Sequence, residues 1–119
     1  MNTKGKYQME KIKVVLEALS KVNAVDIACY DTNLKSPFFT HCVVASVESI
    51  RQLNAVLNHL KEGFAEAGLP IKSTSGADTE WVILDGCDIL VHVFYEEERQ
   101  RFAIDKLYMD SPLVDLSNL

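Results

Sequence analysis

The stretch that decides the fold is Trp81-Val-Ile-Leu-Asp-Gly-Cys-Asp-Ile-Leu-Val-His-Val-Phe94, in which two apolar runs flank the sequence Asp85-Gly-Cys-Asp88. Nearly continuous apolar runs of this length are typical of strands that helices cover on at least one side. They predict strands at residues 81–84 and 89–95. The residues between them are few enough for a hairpin turn, with Gly86 available for a positive φ.

Two helices are predicted from apolar residues that recur at steps of three and four. The first pattern runs over residues 7–21 and the second over residues 50–67. Ser49 and Gln52 fit a capping box at the start of the second helix, and Gly68-Leu-Pro70 supplies its end.

The remaining segments complete a single α/β (α+β) domain with a mixed β-sheet flanked by helices. Strands are predicted at residues 24–30 and 38–45, with a short edge strand at the start of residues 71–77. A last helix is predicted from Glu96 through Tyr108, because its first turn is acidic, as the helix dipole favours. The tail, residues 111–119, follows the domain of residues 1–110. No partner for this tail is visible in the pattern, and we expect it to be mobile or weakly packed.

Composition narrows the class of protein. The chain has 119 residues, 48% of them hydrophobic and 24% charged, which is typical of a soluble globular domain. Its three cysteines include no CxxC pair, so they predict neither a metal clip nor a redox couple. The first residues lack the features of a signal or transit peptide, and no apolar run is long enough to span a membrane. We therefore expect a cytoplasmic protein without a cofactor.

The distribution of charge indicates the kind of partner. A net charge of −5 argues against direct binding to nucleic acid as the main contact. Between Lys72 and Arg99 the chain has no lysine or arginine, while seven carboxylates fall there: Asp78, Glu80, Asp85, Asp88, Glu96, Glu97 and Glu98. Such an acidic block suits a basic partner. From charge alone, however, the favoured interpretation is a solvated face that keeps the protein soluble.

Asp85, Asp88 and His92 are the residues that suggest catalysis. Aspartates that hold Mg²⁺ for phosphoryl transfer usually lie two residues apart on one strand, beside a glycine-rich phosphate loop. Here the spacing is three, a turn intervenes, and only Ser75-Gly76 could form the loop. A lone histidine inside a strand is more often a structural residue than a base. Trp81, the only tryptophan, is either a core residue or a binding anchor.

The same motifs resemble the Iojap-like ribosomal silencing factor family. Its signature runs Trp-x-x-x-Asp, then Gly-Asp, an apolar pair, Val-His-Val-Phe and Glu-Arg, and it ends in an aromatic-rich segment. The chain matches this order with Trp81 to Asp85, Asp88 to Phe94, Glu98-Arg99 and Phe102 to Tyr108. It departs from the family pattern at His41, Val47 and Ala103, has Gly86 one place early, and has Tyr108 in place of a tryptophan.

The resemblance implies a fold similar to nucleotidyltransferases without their catalytic motifs, and a protein that is not an enzyme. It implies binding to the large ribosomal subunit, through its fourteenth protein, at the face that meets the small subunit. Such binding would hinder subunit joining and repress translation when nutrients are short. The residues expected to contact the ribosomal protein are Trp81, Leu84, Asp85, Asp88, Glu98, Arg99, Phe102 and Tyr108, with Gly86 and His92 as structural residues.

Two alternatives remain open at this stage. The first is a nucleotidyltransferase-like domain that binds nucleotide and Mg²⁺ near Asp85 and Asp88. The second is a generic dimeric protein-interaction module. A homodimer of the free protein is also compatible with a ribosomal silencing factor.

Overall fold

The computed structural model describes the backbone of residues 3–118 and the side chains of residues 9–117. A five-stranded mixed sheet has the strand order β1-β2-β5-β4-β3, in which only the β2–β5 pair is parallel. The helices and strands, in chain order, are α1 (Thr3–Lys21), β1 (Val25–Asp31), β2 (His41–Val47), α2 (Ile50–Glu66), β3 (Ser73–Ser75), β4 (Trp81–Asp85), β5 (Ile89–Tyr95) and α3 (Glu96–Phe102). The predicted class, one α+β domain with a mixed sheet, is confirmed.

Helices α1 and α2 cover one face of the sheet. Their apolar residues pack with the alternate strand residues that point toward them, and the largest fully buried side chains of this core include Ile12, Leu19, Leu60 and Phe64. The helices approach so closely that a Cβ at Gly63 would lie 2.9 Å from Val14 Cγ1. This packing makes the sheet a rigid platform whose other face is available for a different role.

The ends of α2 follow the predicted capping residues. Ser49 Oγ accepts the N–H of Gln52 at 3.2 Å, whereas Gln52 Oε1 accepts the N–H of Glu48, one residue before the position that a capping box uses. At the other end Leu69 N–H bonds Phe64 O at 2.8 Å, and Gly68 has a φ of 69°. This is a Schellman motif, so the predicted glycine stop is confirmed.

The β4–β5 hairpin forms as predicted, but its glycine has a different role. Cys87, not Gly86, has the positive φ, at 78°. A Cβ at Gly86 would lie 2.7 Å from Ile89 Cγ2 and 3.0 Å from Phe64 Cε2, so glycine is required there for close packing against α2. The prediction of a positive φ at Gly86 is therefore wrong, because tertiary packing and not turn geometry selects that residue.

Strand β2 begins later than predicted, at His41. The preceding residues form a turn in which Ser36 Oγ accepts the N–H groups of Phe38 and Phe39 at 3.2 and 3.0 Å. Phe38 is 76% exposed, so its apolar side chain does not belong to the sheet. The prediction of a strand from residue 38 is corrected on this point.

The last predicted helix is broken at Ala103. Helix α3 ends at Phe102, Ala103 has a φ of 50°, and a 3₁₀ helix, Ile104–Tyr108, follows. The break lets Ile104 enter the core while Phe102 stays at the surface. The prediction of one helix is wrong, because the left-handed conformation of Ala103 ends α3 and the chain continues as a 3₁₀ helix.

The tail has the partner that the sequence did not reveal. Asp31 N–H bonds Pro112 O and Val114 N–H bonds Cys29 O, each at 2.8 Å, so residues 112–114 pair with the free edge of β1. Val114 and Leu116 also pack against the main core. The expectation of a weakly packed tail is thus corrected for this segment. None of the helices within residues 3–118 is long and apolar enough to cross a membrane.

Candidate functional site

Trp81 lies at the start of β4 and points away from α1 and α2. Its burial alternates along β4 with that of Val82 and Leu84, which face the helices. The face that Trp81 shares with Tyr30, His92, Phe94 and Tyr108, which we call the aromatic face, carries a second, smaller core. The structure therefore separates a helix-covered face that stabilises the domain from an aromatic face that is only partly covered.

Three rings surround the Trp81 indole. Phe94 stacks on it with ring centroids 4.8 Å apart, and Phe102 contacts it with centroids at 5.1 Å. His92 lies at 5.7 Å, and Trp81 Nε1–H donates a hydrogen bond of 3.1 Å to His92 Nδ1. Trp81 is half-buried and Phe102 is 52% exposed, so this cluster presents apolar aromatic area to solvent.

Carboxylates border the two exposed rings. Glu80 precedes Trp81, and Glu97 and Glu98 lie on α3 near it. The Glu98 carboxylate is the main cause of a raised pKa at Glu80, and Arg101 opposes this effect. Arg101 already pairs with Glu98 at 3.5 Å, so a cationic group from a partner would be favoured beside the exposed carboxylates of Glu80 and Glu97. We call Trp81, Phe102, Glu80, Glu97 and Glu98 together the Trp81 surface.

Arg99 does not have the free guanidinium that a partner contact would use. It donates to both carboxylate oxygens of Asp105 at 3.0 and 3.1 Å, to Ser46 Oγ at 3.0 Å and to Asp26 O. Its side chain is only 13% exposed. The hydrogen bonds from Arg99 are the main reason that the pKa of Asp105 is lowered. Arg99 therefore ties α3 and the following 3₁₀ helix to the sheet, which corrects its predicted role as a ribosome contact.

Leu84 is also excluded as a contact residue. Its side chain is 1% exposed and lies in the core between the sheet and the helices. Successive strand residues face opposite sides, so Trp81 and Leu84 cannot both face a partner from β4. The resemblance implied both as contacts, and an almost continuous apolar run does not indicate which face of the strand is covered.

Asp88 is paired within the chain. Lys11 of α1 is 6% exposed, and its Nζ donates to Asp88 Oδ1 at 2.6 Å and to Gly86 O at 2.9 Å. The Asp88 side chain is 28% exposed. Its charge is therefore compensated internally, and its expected role as an outward anchor is corrected. Asp85 remains half-exposed on the aromatic face, where its Oδ1 accepts the N–H of Cys87 at 2.9 Å.

Lys11 is a residue that the sequence reading missed. It lies on the same helical stripe as Val15, Ala18 and Val22, all of which are buried. A lysine at that spacing within an apolar stripe needs a buried acceptor, and this was the available signal. The spacing identifies the need for a partner but not which carboxylate supplies it.

Tyr108 contributes to the aromatic face beside β1, at the side of the sheet away from β4 and Trp81. It stacks on Tyr30 with centroids 5.2 Å apart, and burial raises its pKa above the usual range. With Cys42, Leu90 and Phe39 it also lines an apolar cavity of about 160 Å³. Tyr108 is half-buried, so it can offer only part of its ring to a partner.

The structure offers little to a nucleotide or a metal ion. Within the described residues no group of three or more His, Cys, Asp or Glu side chains has the geometry to hold a metal. A Cβ at Gly76 would lie 2.0 Å from Trp81 O, so this glycine is required by the packing of its loop against β4. The Ser75-Gly76 sequence is thus explained without a phosphate.

Comparison with known proteins places the chain in a family. Residues 6–119 match the family model RsfS, "Ribosomal silencing factor during starvation". The ribosomal silencing factor RsfS of Bacillus subtilis is 31% identical over 110 residues, covering 92% of this chain and 93% of that protein. The RsfS of Chromobacterium violaceum is 33% identical over 97 residues, covering 81% and 80%.

Solved structures agree with this result. A crystal structure of a Chromobacterium violaceum protein has a TM-score of 0.80 at 33% identity and covers 84% of each chain. One from Bacillus halodurans has a TM-score of 0.80 at 27% identity and covers 91% of this chain and 99% of that one. The chain therefore belongs to the RsfS family of ribosomal silencing factors.

Proposed function

We propose that this protein binds the large ribosomal subunit through the Trp81 surface and blocks its association with the small subunit. The partner on the subunit is its fourteenth protein, and the block represses translation in the cytoplasm when nutrients are limiting. The observation that carries the proposal is the pair of partly exposed rings, Trp81 and Phe102, bordered by the exposed carboxylates of Glu80 and Glu97. Membership of the silencing-factor family supports it.

The chemistry of the Trp81 surface fits a basic protein partner. The partly exposed rings of Trp81 on β4 and Phe102 on α3 supply apolar contact area, and tryptophan is enriched among the residues that dominate interface energies. The carboxylates at the rim attract a positively charged partner and accelerate docking at low salt. After the corrections above, the contact set contains Trp81, Asp85, Phe102 and Tyr108. The Glu98 side chain is 13% exposed and pairs with Arg101 at 3.5 Å, so it is removed on the same ground as Arg99 and Asp88.

The mechanism requires no chemical step. A protein bound at the intersubunit face occupies the space that the small subunit needs, so it acts by mass action on subunit association. Its effect should therefore depend on its concentration relative to that of free large subunits. No cofactor or nucleotide is part of the proposal.

Sedimentation with separated ribosomal subunits tests the function directly. We expect the protein to migrate with the large subunit and to increase the amount of free subunits when both are mixed. A protein that stays at the top of the gradient would overturn the proposal. Calorimetry with ATP and Mg²⁺ tests the enzyme alternative, which predicts a measurable heat from specific binding of the nucleotide.

Trp81→Ala tests the surface. Loss of an interface anchor costs about 2 kcal/mol or more, so we expect at least a roughly thirtyfold loss of large-subunit affinity. Phe38→Ala is the matched control, because Phe38 is 76% exposed but lies beyond the opposite end of β2. Equal affinities of the two variants would remove Trp81 from the contact set.

The charged rim has its own test. Glu80→Gln and Glu17→Gln change the net charge equally, but Glu17 is an exposed residue of α1 on the other side of the sheet. We expect the Glu80 variant to lower the association rate at low salt more than the Glu17 variant does. The same rate for both would show that only net charge matters.

A further inference from the structure

The hydrogen bond between Trp81 and His92 determines the protonation of the imidazole. An indole nitrogen can only donate, so His92 Nδ1 must be the acceptor of the 3.1 Å bond from Trp81 Nε1. The imidazole is therefore neutral, with its proton on Nε2. That atom is buried and has no hydrogen-bond partner within the described part of the chain. His92 thus has one polar contact, and it is to Trp81.

His92 is itself held firmly. It lies in β5 between Val44 of β2 and Ile83 of β4, in the middle of the sheet. Its flanking residues Val91 and Val93 are fixed in the helix-covered core, and His92 is 5% exposed. The sheet therefore fixes the backbone position of this acceptor, and the imidazole itself is buried.

The ring contacts of Trp81 do not by themselves select one orientation of the indole. Stacking on Phe94 and Phe102 tolerates sliding and a half-turn about the bond that joins the indole to Cβ. A hydrogen bond is directional, and only one orientation aims Nε1 at His92. The sheet thereby fixes the edge of the indole that faces solvent.

We infer that His92 is a positioning residue that holds the Trp81 indole in the orientation that binds the partner. The inference rests on the proposed function, since it concerns the anchor of the same surface. Fixing a side chain before binding removes an entropic cost of association and so increases affinity without any contact from His92 to the partner.

Two substitutions of His92 separate hydrogen bonding from packing. His92→Asn keeps an acceptor oxygen near the place of Nδ1 but loses volume, whereas His92→Leu keeps volume and loses the acceptor. A packing role predicts that the Asn variant is the more impaired, and a positioning role predicts the reverse. The chain has a single tryptophan, so its one indole N–H resonance reports on Trp81 alone.

We expect His92→Leu to speed hydrogen exchange of the indole N–H and to weaken large-subunit binding, each by about tenfold. His92→Asn should keep both nearer to the wild-type values. Greater loss in the Asn variant, or unchanged affinity despite faster exchange in the Leu variant, would overturn the inference. The exchange measurement uses the free protein, so it remains informative if the wild-type chain does not bind large subunits.

A second perturbation leaves the sheet untouched. The single tryptophan can be replaced biosynthetically by 3-benzothienylalanine, an isostere in which sulfur stands in place of the ring N–H. We expect this protein to lose about tenfold in affinity and to be insensitive to a further His92→Leu change. Unchanged affinity of the isostere, or fully additive effects of the two changes, would contradict the positioning role.

Discussion

Lys11→Met tests how α1 holds the β4–β5 turn. Methionine keeps most of the apolar stem of Lys11 and removes its ammonium group. The loss removes one of the two donors to Gly86 O, the ammonium at 2.9 Å, and leaves the N–H of Asp88 at 3.1 Å. It also leaves the Asp88 carboxylate without the cation at 2.6 Å. Both acceptors lie in the turn, so the change should affect the turn and α1 together.

The size of the effect follows from the exposure of the two acceptors. Gly86 is buried, but its carbonyl keeps the N–H of Asp88, so the loss there is that of one hydrogen bond from a charged donor, about 1.5–3 kcal/mol. The Asp88 side chain is 28% exposed, so water can solvate part of its charge and the full cost of a broken buried ion pair, about 3–5 kcal/mol, does not apply. We therefore expect a loss of about 2–3 kcal/mol in the free energy of unfolding.

Urea denaturation followed by circular dichroism measures this loss. Lys13→Met is the matched control, because Lys13 lies on the same helix and is exposed, and its replacement should change stability by less than about 0.5 kcal/mol. A Lys11 variant as stable as the Lys13 variant would refute the argument that the buried ammonium stabilises the turn.

Three further predictions concern single residues. Cys87→Gly should raise the free energy of unfolding by about 0.5–1 kcal/mol, because glycine adopts the observed φ of 78° without strain; Cys87→Ala should not, and equal stabilities of the two variants in urea would contradict the explanation. Burial lowers the pKa of His92 to about 4 from 6.5, so the unfolded chain binds more protons than the folded chain between these values. Protonation of His92 in the unfolded chain should therefore lower the free energy of unfolding by about 3 kcal/mol as the pH falls from above 6.5 to 4. His92→Asn should lose less stability across this pH range in parallel denaturant titrations. Arg99→Lys should destabilise the protein by about 1–3 kcal/mol, because lysine cannot make the two-pronged contact with Asp105; a melting temperature equal to that of Arg101→Lys, an exposed neighbour, would argue against this clamp.

The elements with strong local signals could be predicted from the sequence. The periodicity of α2, its serine cap and its glycine stop all act between residues a few positions apart, so they need no knowledge of the rest of the chain. The β4–β5 hairpin could also be predicted, because two apolar runs joined by a short polar turn have few alternative pairings. The family motifs lie on these same elements.

The predictions that were wrong depend on contacts between residues far apart in the chain. Leu84 and Trp81 belong to one apolar run, and only the position of α1 and α2 decides which of them is buried. The break at Ala103 accompanies the contact of Arg99 with Asp105, and this contact has no local signature. The tail was left without a partner because edge pairing with β1 depends on backbone atoms, which every residue possesses.

The sequence by itself thus determined the family, the class of fold and the presence of an aromatic anchor in an acidic segment. The tertiary structure decided which charges remain available to a partner. Arg99 pairs with Asp105 and Asp88 pairs with Lys11, so neither is free for a partner. This pairing is required because a buried charge is unfavourable without a partner. The tertiary structure also decided that His92 faces Trp81, since that contact depends on the register of β4 and β5 and on which side of the sheet the helices cover.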